Sequence, residues 1–206
     1  MYLVKSNILL RKLYPHRIWK KDTMGGKILY ISFDDGPHET ATVFALETLK
    51  RFNAKATFFC IGNNVEKHSD IYQNIIDEGH SVGNHTFNHV NGWKVDVTKY
   101  LEEIDTTYKL VKSNLFRPPY GRMTRQQENL FFQKYPEKEI LMWDVLSGDF
   151  DINISGEKCL RNILGYAETG SVIVFHDSYK AWERMQYALP KTLEYFSEKG
   201  FRFDAL

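Results

Sequence analysis

Residues 28–33, Ile-Leu-Tyr-Ile-Ser-Phe, form a mostly apolar run that stops at two aspartates and a Gly-Pro. A run of this length and composition reads as a buried strand. Residues 40–52 follow, with Val43, Phe44, Leu46 and Leu49 spaced along one helical face. The alternation then repeats. Further strands are expected at 56–61, 80–84, 115–117, 140–145, 171–176 and 201–203. Further helices are expected at 64–78, 97–111, 124–133, 155–167 and 187–198. Gly79 ends the second helix as a C′ glycine, and Pro118-Pro119 stops a short strand. About seven β–α units in succession, without a long linker, predict a parallel sheet. So many units in one small domain predict an α/β fold, a closed or nearly closed (β/α) barrel of about seven parallel strands. An open doubly wound sheet is the alternative. Neither GxGxxG nor GxxxxGK[ST] occurs, so the nucleotide-binding versions lack their phosphate loop.

Residues 1–27 fall outside this alternation. They are basic and mildly amphipathic, and Lys5, Arg11 and Lys12 interrupt any apolar core. That makes a poor secretory signal. The expectation is an N-terminal extension, a short helix packed on a domain spanning 28–206, with a membrane-surface helix as the alternative. No stretch approaches the roughly 20 apolar residues of a membrane span. The location in the cell stays open between cytoplasm and envelope.

Composition narrows the function. Lys and Arg number 27 and Asp and Glu 26, for a formal net charge of +1, which argues against an electrostatic nucleic-acid binder. Cys60 and Cys159 lie in apolar or helical patterns without a CxxC pair. They read as ordinary buried thiols rather than a disulfide or a cysteine zinc site.

The unusual polar residues gather at the C-terminal ends of the expected strands. Asp34 and Asp35 follow the first, His85 and His89 the third, and Arg117 to Gly121 the fourth. Asp144 and Asp149 follow the fifth, and His176 and Asp177 end the sixth. In a barrel these ends converge on one face, where active sites are built. His85 and His89 stand at i and i+4, and a helical turn would put both on one side. Two histidines and a carboxylate make a three-ligand set with open positions, as in catalytic metal sites. An HxxxH pair alone is weak evidence. His16, His38 and His68 read as solvated and His80 as a strand-start residue. Adjacent aspartates repel and are costly to desolvate. Helix capping would explain one of them. If one ligates a cation, the other is left as a base beside it.

Five motifs then carry a specific resemblance: FDDGP at 33–37, HTFNH at 85–89, RPPYG at 117–121, WDVLSGDF at 143–150 and VIVFHD at 172–177. In this order the chain from about residue 28 onward resembles the NodB-homology polysaccharide deacetylases, carbohydrate esterase family four. The resemblance implies a distorted (β/α) barrel and one divalent metal, zinc first and cobalt or nickel next, held by Asp35, His85 and His89. It implies Asp34 as general base, Arg117 as the arginine pairing with it, and the Tyr120 backbone N–H as oxyanion donor. It implies His176 as general acid and Asp149 as the carboxylate holding that histidine. The chemistry implied is removal of acetyl groups from N-acetylglucosamine-containing glycans, without a Ser or Cys nucleophile. The enzyme is expected to act as a monomer, with an N-acetylated glycan as its partner. The alternatives are a hydrolase of a small non-sugar amide and a non-catalytic carbohydrate-binding descendant.

Some positions depart from that pattern. Phe150 stands where the family has a Trp walling the acetate pocket, and Val174 where Leu is common. Leu146 takes a place often held by a polar residue, which favours Asp149 as the histidine's partner. Asp144 is open between a site role and a strand-end hydrogen bond. Trp93, Tyr179 and Trp182 are open between sugar stacking and covering the rim. Asn88 reads as a turn cap.

Overall fold

The strand at 28–34 shows how the sequence builds the fold. In the computed structural model, which describes residues 2–206, its outward residues Leu29, Ile31 and Phe33 pack into the largest apolar cluster, beneath the helices. Its alternate residues Ile28 and Tyr30 belong to a separate cluster with Phe59, Leu115, Leu141 and Val172. Ser32 and Asp34 continue that second face. Successive side chains of a strand point to opposite sides. One strand therefore supplies helix-facing core on one side and, on the other, an interior that turns from apolar to polar towards its C-terminal end.

The elements run in chain order as α1 (Ile8–Leu13), β1 (Arg17–Ile18), β2 (Ile28–Asp34), α2 (Ala41–Arg51) and β3 (Ala56–Cys60). Next come α3 (Gly62–Lys67), α4 (Ser69–Asp77), β4 (Ser81–Asn84), α5 (Val97–Leu110) and β5 (Leu115–Phe116). The remainder are α6 (Arg125–Lys134), β6 (Glu139–Leu141), β7 (Val145–Leu146), α7 (Gly156–Tyr166), β8 (Val172–His176), α8 (Trp182–Glu198) and β9 (Arg202–Phe203). Eight strands lie side by side in the order β1-β6-β5-β4-β3-β2-β8-β7, and β9 pairs with the start of β2. Every pairing between named strands is parallel. The sheet curls into a partial barrel, with the C-terminal strand ends at one rim.

Three expected elements differ. The helix at 64–78 is two helices, because α3 ends at Lys67 and α4 begins at Ser69, with His68 out of helical geometry between them. The last helix begins five residues earlier than its pattern suggests, at Trp182. The strand at 140–145 is split. β6 lies at one side of the sheet and β7 is its opposite edge, and Met142 to Asp144 cross between them. The N-terminal segment bridges the same seam. Besides α1, it contributes β1 beside β6, and Lys5 makes an antiparallel bridge to Val145 on β7. Further bonds run from the Met142 N–H to the Ile18 carbonyl and from the Leu146 N–H to the Val4 carbonyl, at 2.7 and 2.8 Å. Residues 4–18 form a strap across the seam.

Candidate active site

Asp34 is the last residue of β2, and there the backbone leaves extended geometry. Asp35 has a φ of +86°, a conformation L-residues with side chains rarely adopt. The turn is pinned from three sides. The Asn64 side-chain amide donates to the Asp35 carbonyl at 2.7 Å, Asp177 accepts from the Gly36 N–H at 2.9 Å, and the Ile61 N–H reaches the Gly36 carbonyl at 3.0 Å. A Cβ on Gly36 would stand 1.9 Å from the Asp177 carboxylate, so only glycine fits there. The result turns the Asp34 and Asp35 carboxylates into one cavity from adjacent positions.

The histidines arrive from the loop after β4, which is not a helical turn. Thr86 and His89 have φ of +62° and +55°, and the loop is tied rather than coiled. The N-terminal amides of α3 hold it, from Gly62 N–H to the Thr86 carbonyl and Asn63 N–H to the Phe87 carbonyl. Asn88 does more than cap a turn: its backbone and side-chain amides both bind the Glu103 carboxylate, at 2.7 and 2.9 Å. His85 and His89 thus meet with ring centroids 5.0 Å apart. The i, i+4 spacing converges here through left-handed residues. Of the six non-glycine residues with positive φ among the described residues, Asp35, Thr86, His89 and Tyr120 are in or beside the site, the clustering expected of a functional centre.

Asp35, His85 and His89 each offer one ligand atom, all within 4.8 Å of one another. The Asp35 Oδ1 is buried and has no hydrogen-bond partner. It lies 3.2 Å from His89 Nε2 and 3.8 Å from His85 Nε2. An orphaned buried oxygen facing two imidazole nitrogens is costly unless something binds among them. His85 Nδ1 is 2.7 Å from the Arg117 carbonyl, so its Nε2 is left for the cluster. Burial pushes His85 down to about 4, which keeps its ring neutral with a lone pair available. The donor set fits a divalent cation.

Arg117 is fully buried and spends its guanidinium on four partners. Nη1 donates to Asp34 Oδ1 at 2.6 Å and Ser32 Oγ at 2.9 Å, Nε to the Leu141 carbonyl at 3.2 Å and Nη2 to the Met142 carbonyl at 2.9 Å. Its plane lies over the Phe59 ring, 3.9 Å from the centroid. Burial opposes the Asp34 charge, but Arg117, with His85 and His176, holds the carboxyl below the usual carboxylate range. Its second oxygen faces the cavity, 4.0 Å from His85 Nε2.

Across the cavity, His176 ends β8. Asp149 holds it twice, with Oδ1 at 2.8 Å from Nδ1 and Oδ2 accepting the His176 backbone N–H at 2.7 Å. Asp149 is itself fixed through its carbonyl, which accepts from Arg184 Nε at 2.6 Å. Burial disfavours a charged imidazole, but Asp149 outweighs it and raises His176 to about 9. Nδ1 is committed to Asp149, so the mobile proton sits at Nε2.

Asp34, Asp35, His85, His89 and His176 line one cavity of about 460 Å³ together with Tyr2, Tyr120, Trp143, Leu146 and Phe150, with Arg117 and Asp149 buried behind them. Tyr120 has a φ of +59°, and its ring lies 4.6 Å from that of His89. The bonds of its turn run from Gly121 N–H to the Pro118 carbonyl and Arg122 N–H to the Pro119 carbonyl, so neither uses the Tyr120 N–H. Asp144 is elsewhere, buried against the strap. Trp182 packs edge-on against Phe44 at 5.2 Å, whereas Trp93 and Tyr179 are exposed. The pinning residues Ser32, Asn64, Asp177 and Arg184 carry no sequence signature except Asp177, which directly follows His176. Tyr2, too, gave no sign of its place before the strap was seen.

Comparison with known proteins gives the same family on independent grounds. A family model described as polysaccharide deacetylase matches residues 21–131, more than half of the chain. The chain is 34% identical over 183 residues to a peptidoglycan-N-acetylglucosamine deacetylase of Bacillus cereus, covering 85% of this chain and 66% of that protein. It is 30% identical over 184 residues to the peptidoglycan-N-acetylglucosamine deacetylase PgdA of Listeria monocytogenes, covering 86% of this chain but 37% of that protein. The chain thus spans less than two thirds of either relative. The crystal structure of the Bc1960 peptidoglycan N-acetylglucosamine deacetylase, in complex with an N-hydroxybenzamide, superposes with a TM-score of 0.86 at 30% identity. That match covers 98% of this chain and 95% of that one. The chain belongs to the polysaccharide deacetylase family.

Proposed function

We propose that this protein is a metal-dependent amide hydrolase that removes acetyl groups from N-acetylglucosamine units of peptidoglycan or a closely related glycan. One observation supports this above the others: an orphaned Asp35 oxygen between two histidines, a base held by Arg117 and a charged histidine held by Asp149 share a single cavity. A binding module would need none of that division of labour. The relatives act on peptidoglycan N-acetylglucosamine by name, which points to the same substrate here and to work at the cell envelope.

Asp35, His85 and His89 would hold one divalent ion, zinc by the chemistry of the donors. When bound, that ion polarises the acetamido carbonyl and makes water more acidic. Asp34 takes a proton from the attacking water through the oxygen that Arg117 leaves free. Arg117 keeps the Asp34 carboxyl ionised and fixed in direction. The Tyr120 N–H donates to the carbonyl oxygen as negative charge develops on it. His176 then gives its Nε2 proton to the sugar nitrogen as the C–N bond breaks, so acetate and a free amine leave.

Acetate release from peptidoglycan, chito-oligosaccharides and a small N-acetyl amide, each with added zinc, tests the proposal. Release from the glycans that stops on chelation and returns with zinc is the expected result. No release from any glycan by the metal-loaded protein would overturn the reading, and release from the small amide alone would replace the substrate class.

A further inference from the structure

We infer that Tyr2, delivered by the N-terminal strap, forms the outer wall of the pocket for the acyl group and limits its length. The inference rests on the amide-hydrolase reading of the site. Five polar groups of the lining have partners assigned: a cation for Asp35, His85 and His89, Arg117 for Asp34 and Asp149 for His176. Arg122, Ser178 and Lys180 also line the cavity, and the alkyl end of an acyl group gains nothing beside them. The apolar surface left for it is Trp143, Leu146, Phe150 and the ring of Tyr2, with the Tyr120 ring against His89.

Tyr2 reaches this place through the backbone. The Leu146 N–H bonds the Val4 carbonyl at 2.8 Å and the Ser6 N–H bonds the Asp144 carbonyl at 2.9 Å, on either side of the Lys5–Val145 bridge. Lys5 and Arg11 both pair with the fully buried Asp144, which locks the strap. The strap then carries Tyr2 past Leu146 to Phe150, where the ring centroids are 4.9 Å apart. Phe150 in turn meets the His176 ring edge-on at 5.1 Å. Room for the phenol is built in. The Tyr2 hydroxyl lies 2.7 Å from where a Cβ on Gly148 would stand, at a residue whose φ of +86° also favours glycine. Tyr2 therefore backs the aromatic side chain that touches the acid and closes the cavity on that side.

The test compares kcat/KM for N-acetyl, N-propionyl and N-butyryl chito-oligosaccharides with zinc-loaded protein. Tyr2→Ala is expected to raise the butyryl-to-acetyl ratio by about tenfold or more, the scale on which apolar pockets discriminate methylenes. Tyr2→Trp is expected to lower the ratio, and Tyr2→Phe to keep it within about twofold, since the ring rather than the hydroxyl forms the wall. An unchanged ratio in both the Ala and Trp variants overturns the inference, as does a Phe variant that behaves like Ala. Should the wild type hydrolyse none of the three, the hydrolase reading fails by itself. Calorimetric binding of acetate and butyrate to the zinc-loaded proteins then decides the wall: a gain for butyrate over acetate in Tyr2→Ala upholds it, and an equal effect on both overturns it. Matching melting temperatures of the variants separate these outcomes from loss of fold.

Discussion

Two buried aspartates of this protein, Asp34 and Asp144, face the same physical problem and meet it differently. Both are charged groups taken from water, a cost repaid only by close partners. Asp144 is saturated. Lys5 Nζ lies 2.8 Å from Oδ2, Arg11 pairs with Oδ1, and the hydroxyls of Ser6 and Ser171 complete the set. Asp34 is left incomplete, with one oxygen on Arg117 and the other turned to the cavity. The first carboxylate has no capacity left for chemistry and fastens the seam. The second keeps an acceptor in reserve. A buried carboxylate with a spare oxygen is a sign of function, and one with every oxygen engaged is a sign of architecture.

Replacing each carboxylate in turn should separate the two most sharply. Asp34→Asn should lower kcat by about 10²- to 10⁴-fold, the usual contribution of a general base, while the melting curve barely moves because the amide oxygen still accepts from Arg117. Asp144→Ala should do the reverse. Removing one partner of a buried pair typically costs about 3–5 kcal/mol, and about 2–3 is expected here because Lys5 and Arg11 reach water. Urea denaturation measures it, and a loss of acetate release without a loss of stability would break the comparison.

Asp149 stands between the two cases, since its carboxylate is saturated yet acts through His176. The ordinary imidazole value is 6.5 and His176 is raised to about 9, so the ring stays protonated until pH approaches that value. Asp149→Asn removes the largest effect that opposes burial, leaving only Asp35 and Asp34, and the alkaline limb of the pH–rate profile should move to lower pH. A limb that stays in place would assign it to another group. The smallest effect is expected at Ser32, which accepts from Arg117 at 2.9 Å and donates to the Ile173 carbonyl at 3.0 Å. Ser32→Ala should cost about 1 kcal/mol of stability, as for one buried hydrogen bond, with a few-fold loss of activity.

The strand–helix alternation was readable in the chain because β2, β3 and β8 are long, apolar and followed by amphipathic helices. The polar residues at their ends were readable for the same reason: topology alone brings Asp34, His85, Arg117 and His176 to one rim. What escaped was made of backbone. β1, and β7 as a strand separate from β6, have two residues each, too few to show a period. The strap pairs through main-chain N–H and C=O groups, which leave no trace in side-chain pattern, so residues 4–18 read as an appendage. The histidine loop looked helical by spacing because nothing in His85-Thr86-Phe87-Asn88-His89 announces left-handed residues. Trp143 and Leu146 were legible as a motif, but the crossing of the seam at Met142 to Asp144 was not.

The strap also bears on the order in which this molecule is assembled. Lys5 and Asp144 are 139 positions apart, and Arg17 pairs with Ile140. During synthesis the strap leaves the ribosome long before its partners exist. β2, β3 and β4 can pair as they emerge, whereas the seam waits until residue 146 has been made. Distant pairings of this kind slow folding, because the chain loses its freedom before the contacts form. The wall of the pocket and the closure of the sheet are thus the same late event, and a nascent chain halted before β7 has neither.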